Sequence, residues 1–192
     1  MTLLPLVLAV SIAVGAQTND EAKRSDAILM KARQLDLLNH MLPMTFTKSQ
    51  INALLVPIEK ARQNVKKIAS MEAADLAKFE AKIGSAVDSG VNDAKVPSPD
   101  LLKEVNRLFT AFTVRRQIAA GENADLVYEV MLKVLNKGQL AVAAKTIDPN
   151  AYDPTVDLKT WTDEMRTKLF IKDVLLDPAS YDLMVKMSKK AP

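Results

Sequence analysis

His40 is the only imidazole in this chain, and there is no cysteine. Thiolate nucleophiles, Cys–His pairs and zinc–thiolate centres are therefore excluded, and a Ser–His–Asp relay would have to be built on His40 alone. A zinc site lacks a second imidazole. His40 falls near the end of the first expected helix, where a cation interacts favourably with the helix dipole, so a capping or surface role is its reading. Asp148-x-Asn150 opens like a calcium-binding loop. Asp153, however, stands where the turn glycine belongs and Lys159 where the bidentate glutamate belongs, so no calcium loop is expected. No Walker loop, Gly-x-Ser-x-Gly or His-Glu-x-x-His occurs. Carboxylates such as Glu80 and Glu122 fall on helix faces without pairing, as solvated surface does. The expectation is a protein that is not an enzyme and needs no cofactor or metal.

The remaining constellation with chemical character is Arg115-Arg116, with Phe109 and Phe112 one and two turns before it. Neither arginine has a carboxylate four residues away, so neither is satisfied within its own helix. One reading makes the four residues a protein-binding patch that meets a client or partner through cationic and apolar contacts. The other pairs both arginines with carboxylates of neighbouring helices and sinks the phenylalanines into the core, the commoner fate of such residues. Met41, Met44, Met71 and Met131 carry the same two options, an adaptable surface or core filling.

The elements that would position these residues are helices. Few glycines and aromatics, with abundant Ala, Leu, Lys and Met, favour helix throughout. Two helix starts are written in full. Phe46-Thr47-Lys48-Ser49-Gln50-Ile51 and Leu135-Asn136-Lys137-Gly138-Gln139-Leu140 each place an apolar residue at N′, a side-chain oxygen at the N-cap, Gln at N3 and an apolar residue at N4. That is a capping box with a hydrophobic staple, used twice. Thr47, Gln50, Asn136 and Gln139 are thus expected as structural caps.

A first helix is expected from about Glu21 to Met41, with Ile28, Ala32, Leu35, Leu38 and Leu42 as its apolar stripe and Pro43 as its stop. A second carries Ile51, Leu54, Ile58, Ala61, Val65 and Ile68, with Pro57 inside it, and continues less cleanly to Val87. The stretch from Asp88 to Pro97 reads as a loop. A third, long helix opens at Ser98-Pro99 with Leu101, Val105, Leu108 and Phe112 as its stripe, and runs into the second capping box. A short fourth helix spans Lys137 to about Thr146. Beyond an irregular stretch to Trp161, two more helices start at Thr162 and after Asp177-Pro178. The fold class is all-α: a long-helix hairpin or small bundle of about five or six helices.

Met1 to Ala16 is an uncharged apolar run ending in small residues, which reads as a signal peptide cleaved before Gln17. It is too short for a comfortable membrane span, and no second apolar run follows. Export to the periplasm or another extracytoplasmic compartment is therefore expected, with no membrane attachment after signal removal. Net charge is +3 and the pI near 9.0, but the basic residues cluster only as dipeptides without interleaved aromatics, so no nucleic-acid partner is expected. The domain reading is 1–16 signal peptide, 17–147 long-helix domain, and 148–192 a C-terminal helical appendage packed on it.

The two capped stretches resemble the paired Leu-Thr-x-x-Gln motifs of the Spy/CpxP family, with Phe46 in place of Leu in the first and Asn136 in place of Thr in the second. The resemblance spans about Leu35 to Thr146; the C-terminal residues have no counterpart. It implies a small all-helical extracytoplasmic protein without enzymatic activity, often a homodimer of interlocked long helices forming a curved cradle. Some members hold unfolded clients without ATP, some restrain an envelope-stress sensor kinase, and some bind zinc. Thr47, Gln50, Asn136 and Gln139 carry over as scaffold positions, and no client-binding position does. Two functional classes follow: a chaperone-like holder of unfolded proteins, or a regulatory or structural partner of one envelope protein. A hydrolase with an unrecognised carboxylate site is the third and weakest reading.

Overall fold

A computed structural model describes residues 19–151, 154–155 and 157–191. The expected signal peptide at 1–16, the Gln17 mature terminus and Asp153 lie outside the described residues. Seven α-helices make up the fold, with no strand among the described residues: α1 (Asn19–Met41), α2 (Lys48–Ala77), α3 (Glu80–Asp93), α4 (Pro99–Val134), α5 (Lys137–Thr146), α6 (Asp163–Phe170) and α7 (Ser180–Ser188). Short 3-10 turns follow α1 and precede α6, and a π-helical turn, Ile171–Leu175, follows α6. No described helix is long and apolar enough to cross a membrane.

The seventh helix arises where the expected second helix breaks. Its backbone ladder is interrupted at Lys78-Phe79, and α3 starts afresh at Glu80. The expected loop from Asp88 is also corrected, since α3 runs on to Asp93. Gly90 is tolerated inside the helix at a cost of about 1 kcal/mol relative to alanine. The stop comes instead from Ala94, which turns left-handed (φ 53°, ψ 28°) and donates its N–H to the Ser89 carbonyl.

Contacts divide the chain into two units. One takes the described residues up to Ile58 and those from Ala124 onward; the other is Glu59–Asn123. The first holds the hydrophobic core, where Leu37, Met41, Met44, Ile51, Leu54, Met131 and Phe170 are all sealed from solvent. The C-terminal helices, expected to pack on the long-helix domain, contribute to this core. Phe170, Ile171, Val174, Leu175 and Met184 are buried in the same cluster as Leu37 and Met41. The stripe expected on α1 is corrected as well. Leu37 and Met41 face the core, whereas Ile28, Leu35 and Leu42 are exposed. Arg33 ties α1 down, donating from Nε to Asp177 Oδ2 at 2.9 Å and from Nη2 to the Asp173 carbonyl at 3.0 Å.

Both written helix starts form, and they meet. Thr47 N–H donates to Gln50 Oε1 at 2.9 Å, and Gln50 N–H to Thr47 Oγ1 at 3.3 Å. Asn136 N–H donates to Gln139 Oε1 at 3.1 Å, and Gln139 N–H to Asn136 Oδ1 at 2.9 Å. The two glutamine amides then pair with each other, Nε2 to Oε1 in both directions, at 3.0 and 3.1 Å. Each remaining amide hydrogen goes to a backbone carbonyl: Gln50 to Val134 and Gln139 to Met44, both at 2.9 Å. Every donor and acceptor site of the two amides is used. Two local details serve this network. Thr45 adopts a left-handed conformation (φ 45°, ψ 46°), unusual for a β-branched residue, just before the first box. A Cβ at Gly138 would stand 3.2 Å from Asn136 Oδ1 and crowd the cap oxygen.

Lys168 joins α6 to α4 in the same unit, 2.8 Å from Asp125 Oδ1 and 2.5 Å from Glu164 Oε1, with its ammonium 5.3 Å from the Tyr128 ring centroid. The Asp125 and Glu164 carboxylates hold the ammonium well above its ordinary 10.5. Burial and the nearby Glu164 charge push the Tyr128 hydroxyl above its ordinary 10.0. A group whose folded pKa is raised contributes stability that is complete below its unfolded value and is lost as pH rises through the folded one. The thermal midpoint is therefore expected to hold to about pH 10 and fall above it. The fall should be shallower in Lys168→Met, as melts followed by circular dichroism at stepped pH will read.

Candidate functional site

The second unit, Glu59–Asn123, consists of the later part of α2, α3 and the earlier part of α4. Its partner residues run in opposite directions along α2 and α4. Asn64 Nδ2 donates to Asn123 Oδ1 at 3.1 Å. Glu72 receives Arg116, and Asp75 receives Arg115. The two helices are therefore antiparallel here, and their facing residues follow one register.

This pairing decides the fate of the four patch residues. Arg116 grips Glu72 with Nε, at 3.1 and 2.9 Å from the two carboxylate oxygens, and with Nη2. The Glu72 side chain is 4% exposed, whereas that of Arg116 is 67% exposed, so the cation lies over a buried carboxylate. Donating these hydrogen bonds to Glu72, together with the attraction of its charge, raises the Arg116 pKa further. Arg115 Nη1 lies 3.5 Å from Asp75 Oδ2, an ion pair without hydrogen-bond geometry, and its guanidinium stacks 5.8 Å from the Phe112 centroid. Lys78, hydrogen-bonded at 2.7 Å, and then Arg115 hold the Asp75 carboxyl below its ordinary 3.8. Phe112 is buried, while Phe109 packs edge-on against it at 6.1 Å and remains 51% exposed. Phe112 is buried and both arginines are paired with carboxylates of α2, while Phe109 and the outer part of Arg116 stay open to solvent.

Sequence reading missed Glu72, Asp75, Asn64 and Asn123, whose pairing depends on the register of α2 against α4. Glu72 and Asp75 sit one turn apart, matched to adjacent arginines on a helix running the other way. Alanine at both Arg115 and Arg116 is expected to lower the melting temperature by about 5 °C, because Glu72 is left as a buried charge without its cation. Adding Glu72→Gln should recover part of that loss. Differential scanning calorimetry of the three variants checks this.

The surface of the unit is more telling than its ion pairs. Its buried apolar residues are only Ala61, Phe112 and Ala119. More than half of the exposed large apolar side chains of the described chain belong to it, among them Val91, Val96, Leu102, Phe109, Val114 and Ile118. A groove of about 710 Å³ runs along α4 and the facing part of α2, floored by Ile68, Ala111, Val114 and Ile118. Arg107 lies toward one end of it, Arg115 midway along it and Glu122 at the other end. A second, more polar hollow of about 440 Å³ lies at the α3–α4 connection.

His40 is partly exposed, 3.6 Å from Asp36 Oδ1 near the end of α1. Asp148 accepts the Asn150 N–H at 3.0 Å, a local turn. Among the described residues no group of three His, Asp or Glu side chains converges as a metal-ligand set. Comparison with protein-family models, with curated proteins and with solved structures returns no match.

Proposed function

We propose that this chain is a non-enzymatic extracytoplasmic protein of the Spy/CpxP kind. Its long-helix hairpin, α2 and α4 joined through α3, holds unfolded or partner proteins on its surface without ATP. The observation that carries the reading is the imbalance in Glu59–Asn123, which exposes Val91, Leu102, Phe109 and their neighbours while burying only three apolar side chains. Exposed apolar area on that scale is what a binding surface needs and what an ordinary soluble unit avoids. The arginines beside it, held by Glu72 and Asp75, keep the surface soluble between encounters. Binding on an apolar face with few directional polar groups favours many clients over one.

The test is aggregation suppression with two unrelated unfolded substrates. Both are expected to stay soluble at near-stoichiometric protein, and Leu102→Ser with Phe109→Ser should abolish most of the protection while leaving the melting temperature in place. No protection of either substrate would sink the holder reading. It would favour the second one, a regulatory or structural partner of a single envelope protein using the same face.

A further inference from the structure

We infer that the hollow where α7 meets the end of α1 binds a free fatty acid, its alkyl chain on the apolar floor and its carboxylate held by Lys186 and Lys190. Every residue of this site belongs to the first unit, so the inference does not rest on the client-holding face. The hollow has a volume of about 430 Å³, within the range of small-molecule sites. Met41, Phe46, Ile51 and Leu183 lie under it, all buried. Leu42, in its wall, is 58% exposed. A leucine left open beside a sealed core is apolar surface that an alkyl chain would take out of water.

Charge gives the ligand its head. The polar side chains lining the hollow are Thr45, Lys186 and Lys190, and no carboxylate lines it. The two lysines stand four residues apart, as do Leu183 and Met187 beside them, so one side of the chain end is apolar below and cationic at its margin. The turn that closes α7 keeps Lys190 there, with Lys190 and Ala191 both donating their N–H to the Met187 carbonyl at 2.9 Å. Both lysines are exposed, and among the described residues neither enters an ion pair. Asp182, one turn before Lys186, does not line the hollow. A cationic margin over an apolar floor is the complement of an amphiphile with an anionic head.

The same composition argues against other occupants. A peptide segment would carry backbone N–H and carbonyl groups into a hollow whose side chains offer one hydroxyl and two ammonium groups. Each backbone group stranded there counts against binding, and an alkyl chain has none. A cationic amphiphile would set its head against two lysines, and an uncharged one would leave them unused. A single-chain carboxylate supplies one apolar tail and one negative charge, which is what the floor and the margin ask for.

Isothermal titration calorimetry of the full chain with octanoate, decanoate and dodecanoate, each below its aggregation concentration, is the test. Saturable binding is expected, tightening by up to about fourfold for each methylene added. Lys186→Glu with Lys190→Glu should weaken decanoate about tenfold and leave decanol bound as before. Leu42→Glu sets a carboxylate beside the alkyl chain and should remove both ligands, with the melting temperature unchanged. Leu102→Ser with Phe109→Ser should bind decanoate as the parent chain does. No saturable binding, or equal weakening of acid and alcohol in the lysine variant, would overturn the proposal. So would loss of binding in the Leu102 and Phe109 variant, which would put the acid on the client-holding face. Co-flotation with phosphatidylglycerol vesicles that disappears in the lysine variant would overturn it as well, by making the lysines a membrane contact. The aggregation assay can succeed or fail independently of each of these.

Discussion

Gln139→Ala is expected to cost about 3–4 kcal/mol of unfolding free energy, several times what a single helix cap is worth. Gln139 is 7% exposed and spends its amide on four partners: Asn136 N–H, the Met44 carbonyl and both polar atoms of the Gln50 amide. Truncation leaves the Met44 carbonyl and half of the Gln50 amide without partners. Each buried polar group stranded in this way costs about 1–3 kcal/mol. Thr47→Ala, by contrast, removes one hydroxyl acceptor at an exposed position and should cost about 1 kcal/mol. Urea denaturation of Gln50→Ala, Gln139→Ala and the double variant reads the difference. The double variant should be less destabilised than the sum of the singles by about 1–3 kcal/mol, since each single already breaks the shared amide pair. Additive effects, or a Gln139→Ala cost no larger than that of Thr47→Ala, would mean that the two boxes act as separate caps.

That network marks the boundary of what could be read from the residues. The cap, the staple and the reaching glutamine are local, each set by neighbours within four positions, so both boxes are visible in a row of letters. Their pairing is not, because nothing near Gln50 in the sequence refers to Gln139. The same division runs through the molecule. The starts of α4, α5 and α6 follow from Ser98-Pro99, Asn136 and Thr162, whereas the α3 stop at Ala94 comes from a residue with no turn signal. Hydrophobic spacing located α1 but chose the wrong side of it. Ile28, Leu35 and Leu42 repeat more cleanly than Leu37 and Met41, and only the neighbouring helices decide which line is covered. Arg115 and Arg116 were legible as unsatisfied within their helix. Glu72 and Asp75 required the register of α2 against α4.

The C-terminal helices were the least legible part, and Phe170→Ala measures what they contribute. Phe170 is fully buried in the cluster that also holds Leu37, Met41, Met131 and Leu175. Removing a buried phenyl ring typically costs about 3–5 kcal/mol, from lost transfer energy and the cavity left behind. The variant should therefore unfold at markedly lower urea, if it folds at all at 37 °C; Phe170→Leu, which keeps most of the volume, gives the graded comparison at about 1–1.5 kcal/mol. Trp161, the single tryptophan, lies in the same unit and is half-buried, so its fluorescence reports on that unit. Circular dichroism reports all seven helices. The two signals should nonetheless fall together. Residues 59–123 bury too little apolar surface to stand alone, with only Ala61, Phe112 and Ala119 inside, and so depend on the first unit for stability. Helical signal that persists after the Trp161 transition would show that Glu59–Asn123 folds independently, and the thin core would no longer account for its exposed apolar face.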